Sequence, residues 1–369
     1  MRRDALTGTR IRIAGSGPIA IACALLLLRQ GFRPGEIGFT PPTAPPPEWL
    51  VNRALATSHG SWLTLGRIVA LPSAAPIRRV EVRIPGHAGV MRLAAQEMGL
   101  PALGHVAQYG KLVAALVRAA ADAGLGATPP GADETEVLIE ARGDPGEDGQ
   151  VRDFAQSALL TEVVASGLSR DCALEWFSTG GPIALLPHVE AGRFSLVWCA
   201  APHDAARRLE LAPDAFAAEL AETLAGSCGL ASGCAVPALE LAAARSVIAL
   251  ERKARRNVVL GNTVAIGNAA QSLHPVGAQG LNLGLRDAQV LAQCLGDARA
   301  AGRPLITALV PYIRARRLDR GAVLAATDLL AGAFAIPALQ PLQSLALAAL
   351  GLAPGLRRAV TRAFLFGWR

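Results

Sequence analysis

The chain is poor in aromatic residues: Phe, Trp and Tyr together make up 4% of its 369 positions. Proteins that grip single-stranded nucleic acid need such rings as stacking platforms. Nucleic acid is therefore not an expected partner, even though the net charge is +7. That charge is carried by scattered arginines, and no basic run is longer than Arg252-Lys253-Ala254-Arg255-Arg256. A basic balance of this kind suits anionic lipid headgroups or a nicotinamide phosphate, and equally a solvated surface. The six cysteines (Cys23, Cys172, Cys199, Cys228, Cys234 and Cys294) include no CxxC pair and no histidine at ligand spacing. Most sit in apolar stretches, as buried thiols in a reducing compartment do. No signal peptide is recognisable, and the apolar run Ile19–Leu28 is too short to span a bilayer. There is no internal repeat, protease or nuclease constellation, or metal cluster. What is present is 51% hydrophobic sequence, long enough to bury a large core in one or two domains.

Two glycine-rich stretches carry the chemistry. Arg10–Ala14 reads as a strand, Gly15-Ser16-Gly17-Pro18-Ile19-Ala20 as a turn, and the residues to about Gln30 as a helix. In this GxGxxA pattern the glycines permit a tight turn and close approach of a pyrophosphate, and the small Ala20 lets helix and strand pack. The second stretch, VVLGNTVAIGNAAQSLHPVGAQGLNLGLRDA from Val258 to Ala288, runs from a strand-like segment through Gly267 and His274-Pro275 into a helical pattern starting at Leu281. Free N–H groups and the dipole at a helix N-terminus make an anion site. Gly277 and Gly280 allow positive φ and let a ligand come close to the backbone.

The segment GNAAQSLHPVGAQGLNLGLRDA resembles the second flavin motif of FAD-dependent aromatic hydroxylases with a para-hydroxybenzoate-hydroxylase-like fold. It is most similar to the ubiquinone-biosynthesis branch, whose pattern is GNAA-x-x-LHP-x-x-x-QG-x-NLG-x-RD. The resemblance implies an α/β fold: a Rossmann-like FAD-binding domain interleaved with a β-sheet substrate domain, and a helical C-terminal tail. The corresponding parts are 1–79, 106–150 (shortened) and 251–320 for the FAD-binding domain, and 80–105 for the crossover. Residues 151–250 would form the substrate-domain sheet and helix, and 321–369 an apolar helical tail. By carry-over, Gly15, Gly17 and Ala20 would cradle the pyrophosphate from one side. Gly267, Asn268, Gly277, Gln279, Gly280, Asn282 and Leu283 would hold the flavin from the other, with His274 and Pro275 above the ring as the catalytic pair. His274 reads equally as a turn residue with no part in proton transfer. Arg53, in the block Arg53-Ala54-Leu55-Ala56 with Ser58, Gly60 and Ser61, resembles the arginine near the cofactor at the opening of a helix.

Further matches extend the likeness along the chain. Gln108-Tyr109-Gly110-Lys111-Leu112 opens an amphipathic helix to about Ala123, and strand-like alternation runs from Phe154 to Cys199. The latter includes the Pro182–Pro187 turn and the Gly192–Trp198 strand; relatives roof the aromatic substrate with such residues, while Trp176 and Trp198 read individually as sheet core. Asp204–Ala225 reads as a helix with one charged side, and Tyr312 to Asp319 matches the family's Y-x-x-x-R-x-x-D tail helix. Leu329–Gly355 carries no charge but is interrupted by Pro337, Pro341 and Pro354. Two packed or interfacial helices fit it better than a spanning helix, with Arg357, Arg358, Arg362 and Arg369 ready to meet headgroups.

Three features depart from the pattern. Thr40 stands about where the second strand should end in an acid for the ribose hydroxyls, and Glu48 is too far along to replace it. Arg142 occupies the Asp position of the family's A-D-G. Between Gly124 and Val137 a brief Gly/Pro loop replaces a multi-strand excursion. The resemblance implies a monooxygenase using FAD and NAD(P)H that hydroxylates a polyprenylated phenol in ubiquinone biosynthesis through a flavin hydroperoxide, in the cytoplasm, peripheral to the inner face of the membrane. The departures favour an alternative: a degenerate, flavin-poor member serving as a non-catalytic subunit of a ubiquinone-biosynthesis complex. Preservation of both glycine motifs weighs towards the enzyme.

Overall fold

The computed structural model of the protein describes residues 10–84, 87, 89–126, 135–178, 180–225, 238–333 and 336–368. Cys228, Cys234, Arg369 and most of the Gly/Pro loop after Gly124 lie outside the described residues. The first sheet is built on Ile11–Ala14, which pairs in parallel with Ile37–Phe39 on one side and Val137–Glu140 on the other. Thr263–Ala265 continues the sheet in parallel beyond Val137–Glu140, and Val259–Leu260 closes it as an antiparallel edge. Ile11, Ile13, Val137 and Ile139 are buried and form one core with the helices Pro18–Arg29, Tyr109–Asp122 and Gln279–Ala300. Burial alternates along Ile11–Ala14 and Val137–Glu140, with Arg12 exposed between the buried Ile11 and Ile13.

The helices Pro18–Arg29 and Gln279–Ala300 meet where side chains are smallest. A Cβ on Gly284 would lie 3.0 Å from Gly267 Cα and 3.0 Å from the Ile19 side chain. Gly15 adopts φ +144°, and a Cβ there would sit 2.2 Å from the Ala141 carbonyl oxygen, so only glycine fits between the first and third strands.

The second sheet has nine strands. From Gln271–Ser272 its order runs through Ser246–Arg255, Gly149–Ala165, Arg193–Ala200, Gly181–Pro187, Cys172–Ser178 and Arg79–Arg83 to Val90–Ala94, with Leu239–Leu241 beside Gly149–Ala165. One face packs Leu174, Trp176, Ile183, Leu185, Phe194, Leu196 and Trp198 against Phe216, Leu220 and Leu224 of the helix Pro213–Ala225. Trp176 and Trp198 are therefore core residues. The other face meets the first domain, with Val82, Ile84 and Phe177 against Val276 and Ala331.

Several elements differ from the sequence reading. The block after Arg53 is a strand, Ala54–Ser58, in a three-stranded sheet with Gly104–Gln108 and Ala74–Ile77. The helix expected there starts at His59, because Ser58 Oγ caps it by accepting from Ser61 N at 3.3 Å. Asp204–Ala225 is two helices, Pro202–Glu210 and Pro213–Ala225; Leu211 is extended and Pro213 cannot continue a helix. The long strand begins at Gly149, ahead of Phe154. The tail consists of Leu309–Ala333, Gln340–Leu352 and Pro354–Phe366, and among the described residues no helix is long and apolar enough to cross a membrane.

Gly284→Val adds an isopropyl group to a close helix contact in the core. Overpacking of this kind costs about 1–3 kcal/mol, so the urea midpoint should fall at unchanged slope. A midpoint equal to that of the parent would contradict the close approach.

Candidate functional site

Both glycine motifs end in helix N-termini that lack a side-chain cap. Gly17 precedes Pro18–Arg29, Ala278 precedes Gln279–Ala300, and neither helix has an acid in its first turn. Each helix thus presents its first N–H groups and the positive end of its dipole without an internal partner for the charge. A Cβ on Gly17 or on Gly280 would meet nothing within 4 Å, so both turns border open space. The two motifs are joined through Ile19, which packs on Gly267 and Gly284. Ala20, buried, lies on the inner side of the first helix.

Asn282 laces the second turn to its neighbours. Its Oδ1 accepts from Ser58 N at 2.8 Å, and its Nδ2 donates to Ala278 O at 2.7 Å and to Ala56 O at 3.2 Å. Gln279 Nε2 donates to Gly277 O at 3.1 Å, whereas its buried Oε1 has no hydrogen-bond partner. Ala278 holds φ +48°, an uncommon conformation for a residue with a Cβ. Leu283 is fully buried and Asn268 is exposed. The Gly267 N–H donates to Asp287 Oδ2 at 3.2 Å, so Gly267 serves the turn by close packing. Arg53 lies directly before the strand that Asn282 holds. Its guanidinium makes no ion pair or hydrogen bond among the described residues, and burial pushes its pKa down. A half-buried cation without an anion is a site wanting negative charge.

His274 is 1% exposed and uses both ring nitrogens. Nε2 lies 3.1 Å from Gln156 Oε1, Nδ1 accepts from Val276 N at 3.2 Å, and the ring meets Phe154 edge-on at 5.1 Å. Burial pushes its pKa from the usual 6.5 to about 4, so it is neutral and pins the turn to the long strand of the second sheet. Pro275 follows in the αR region and starts the short turn Val276–Ala278.

Because the strands are parallel, their C-terminal ends share one edge, where Gly15, Thr40 and Arg142 fall together. Thr40 and Arg142 are exposed there. Glu36, which directly precedes the second strand, stands at the opposite end of it, where Arg299 binds it at 2.8 Å. The sequence reading missed two features. Asp287 and Asp319 form a buried network with Arg286 and Arg316, to which the R-D and R-x-x-D spacings pointed. Glu175, on the second sheet, accepts from Gly277 N at 3.2 Å, and no sequence pattern announced that contact.

The depressed pKa of His274 makes stability depend on pH. The unfolded chain takes up this proton near pH 6.5 and the folded chain only near pH 4, so stability falls as pH drops through that window and is level above it. The share due to His274 is on the order of 3 kcal/mol. His274→Gln should remove that share, measured as urea midpoints at about pH 5 and about pH 8; an unchanged slope would place the proton elsewhere.

No family model matches the chain. A stretch of 183 residues, 49% of the chain, is 33% identical to the ubiquinone hydroxylase UbiL of Rhodospirillum rubrum and spans 41% of that protein's length. The 3-demethoxyubiquinol 3-hydroxylase of Escherichia coli is 28% identical across 95% of this chain and 96% of its own. Among solved structures, Klebsiella pneumoniae HpxO complexed with FAD and uric acid superposes with a TM-score of 0.66, covering 98% of this chain and 97% of that one at 16% identity. By sequence the chain is similar to ubiquinone-biosynthesis hydroxylases, and its architecture is the fold shared with the FAD-complexed HpxO.

Proposed function

We propose that the protein is an FAD-dependent monooxygenase that hydroxylates the aromatic ring of a polyprenylated phenol in ubiquinone biosynthesis, with NAD(P)H as electron donor. The observation that carries this reading is the pair of uncapped helix N-termini, brought together at Ile19, Gly267 and Gly284, with the unpaired guanidinium of Arg53 directly before the strand that Asn282 holds. These residues fit the cofactor. Gly17 and Gly280 leave room, the N–H groups and Arg53 answer the pyrophosphate charge, and the orphaned Gln279 Oε1 offers an acceptor. Relatives named as hydroxylases support the enzyme over the degenerate subunit.

Gly15, Gly17 and Ala20 hold the phosphates from the first motif. Gly267, Asn268, Gly277, Gln279, Gly280, Asn282 and Leu283 hold the flavin from the second, within a FAD-binding domain of 1–79, 106–150 and 251–320. When bound, FAD supplies hydride acceptance from the nicotinamide and activation of O₂. Asn282 fixes the turn against Ala54–Ser58. His274, neutral and doubly bonded, holds the turn and its Pro275 over the ring rather than moving a proton. The apolar face of the second sheet excludes water from the reacting ring. The tail exposes Leu342, Leu345, Leu352 and Leu356 beside the exposed Arg358 and Arg362, which suits a peripheral place on the cytoplasmic side of a membrane carrying the substrate.

The purified protein, supplied with FAD, should show a bound-flavin absorbance near stoichiometry that NAD(P)H bleaches and air restores. Gly280→Asp places a carboxylate at the second helix N-terminus and should weaken FAD binding at least tenfold, about 1.4 kcal/mol. A parent protein that stays colourless in excess FAD ends this reading.

A further inference from the structure

Alternation along Cys172–Ser178 sends Leu174 and Trp176 into the core behind the sheet and turns Ala173, Glu175 and Phe177 towards the first domain. Glu175 is the carboxylate in the middle of an apolar surface. Its ladder neighbours are Val82 and Ala184, and Phe177 packs beside it on Val276. Ala173, Leu174, Trp176 and Phe177 are buried, yet Glu175 keeps part of its surface accessible. Oε1 accepts from Gly277 N at 3.2 Å, while Oε2 makes no hydrogen bond or ion pair among the described residues. A carboxylate so placed is poorly stabilised as an ion, and burial raises its pKa to about 7.

The surrounding titratable groups do not neutralise it. On the same face, the Cys199 thiol is pushed far up by burial and by Glu175 itself, and stays neutral. His274, in the turn above, is neutral with its pKa at about 4. Glu162 is three strands away and engaged with Arg193 at 3.1 Å. Arg83, on the neighbouring strand, pairs with Glu81. Packing alone gives no reason for a charge here, since a glutamine would accept the Gly277 N–H as well.

We propose that Glu175 is the base that takes the phenolic proton from a ring held between this sheet face and the Gly277 turn. The inference rests on the hydroxylase reading above. The phenol O–H bond breaks, its electron pair stays on oxygen, and the proton bonds to Glu175 Oε2; nothing is oxidised or reduced in the step. The negative charge moves from the carboxylate to the phenolic oxygen, so base and ring together gain no charge while the ring becomes electron-rich. A base whose pKa lies near neutrality is best matched to such a transfer, and its free oxygen already borders the turn assigned to the flavin.

Glu175→Gln preserves the bond to Gly277 and the volume, and removes the proton acceptor. With FAD added, E175Q should bind flavin and substrate as the parent does, while product formed per second falls roughly 100-fold or more. The acid limb of kcat near pH 7 should disappear, and fluorinated phenols, which ionise unaided, should recover part of the rate. Glu175→Asp should retain that limb at an intermediate rate. Infrared difference spectra across neutral pH give a readout independent of turnover: one protonated-carboxyl band, shifted by an unreactive phenol analogue, present in the parent and missing from E175Q. Near-parental turnover with an unchanged pH profile in E175Q overturns the proposal, as does loss of flavin by E175Q, which would make Glu175 a clamp for the turn. A parent protein that binds no flavin is a different result: it removes the hydroxylase reading and the inference with it.

Discussion

The Asp287 carboxylate receives the Gly267 N–H at 3.2 Å, the Gln271 amide at 2.9 Å and the Arg316 guanidinium at 2.8 Å. Three elements thereby meet inside the protein: the end of the fourth parallel strand, the edge of the second sheet, and the tail helix, whose Arg320 also donates to Gln271 Oε1 at 2.6 Å. Arg316 also donates to Asp319, which binds Arg286 at 2.8 Å and the Trp368 N–H at 2.9 Å. Buried ion pairs gain little net stability over apolar packing, but removing one partner leaves a charge stranded, typically at about 3–5 kcal/mol. The network works as a register device. It fixes how the second motif sits against the tail, and with it the direction in which the Gln279–Ala300 N-terminus points.

Much of the first domain was legible because its constraints are local. A strand, a glycine turn and a helix in direct succession have one way to fold, and Gly15–Ala20 and Gly267–Leu283 carry their turn chemistry in their own residues. The boundaries that went astray were set by contacts distant in sequence. Ala54–Ser58 is a strand because Gly104–Gln108 lies beside it, and the helix waits for the Ser58 cap. The candidate site was legible as two motifs, but its closure by Asn282 on Ser58 and by Glu175 on Gly277 spans 224 and 102 residues, which no spacing rule reads.

The departures at Thr40 and Arg142 take a definite place in this geometry. Both stand exposed at the C-terminal edge of the parallel sheet, beside Gly15. Thr40 offers a single hydroxyl where the family pattern has a carboxylate. Arg142 brings positive charge to an edge that already holds an uncapped helix end. That edge therefore carries a hydroxyl and positive charge, and no acid at either position.

The last turn of the tail also constrains how the molecule is made. Ser58 Oγ donates to Leu365 O at 2.9 Å across 307 residues, and the Trp368 N–H closes on Asp319. A chain emerging from the ribosome folds its N-terminal parts first, yet these contacts close only once Leu365 and Trp368 have been made. The first strand and helix can form early, but the face that joins Ser58, Asn282 and the buried aspartates is completed only when the helix Pro354–Phe366 joins it. A chain cut before Leu365 would therefore carry both glycine motifs without the contacts that close this face.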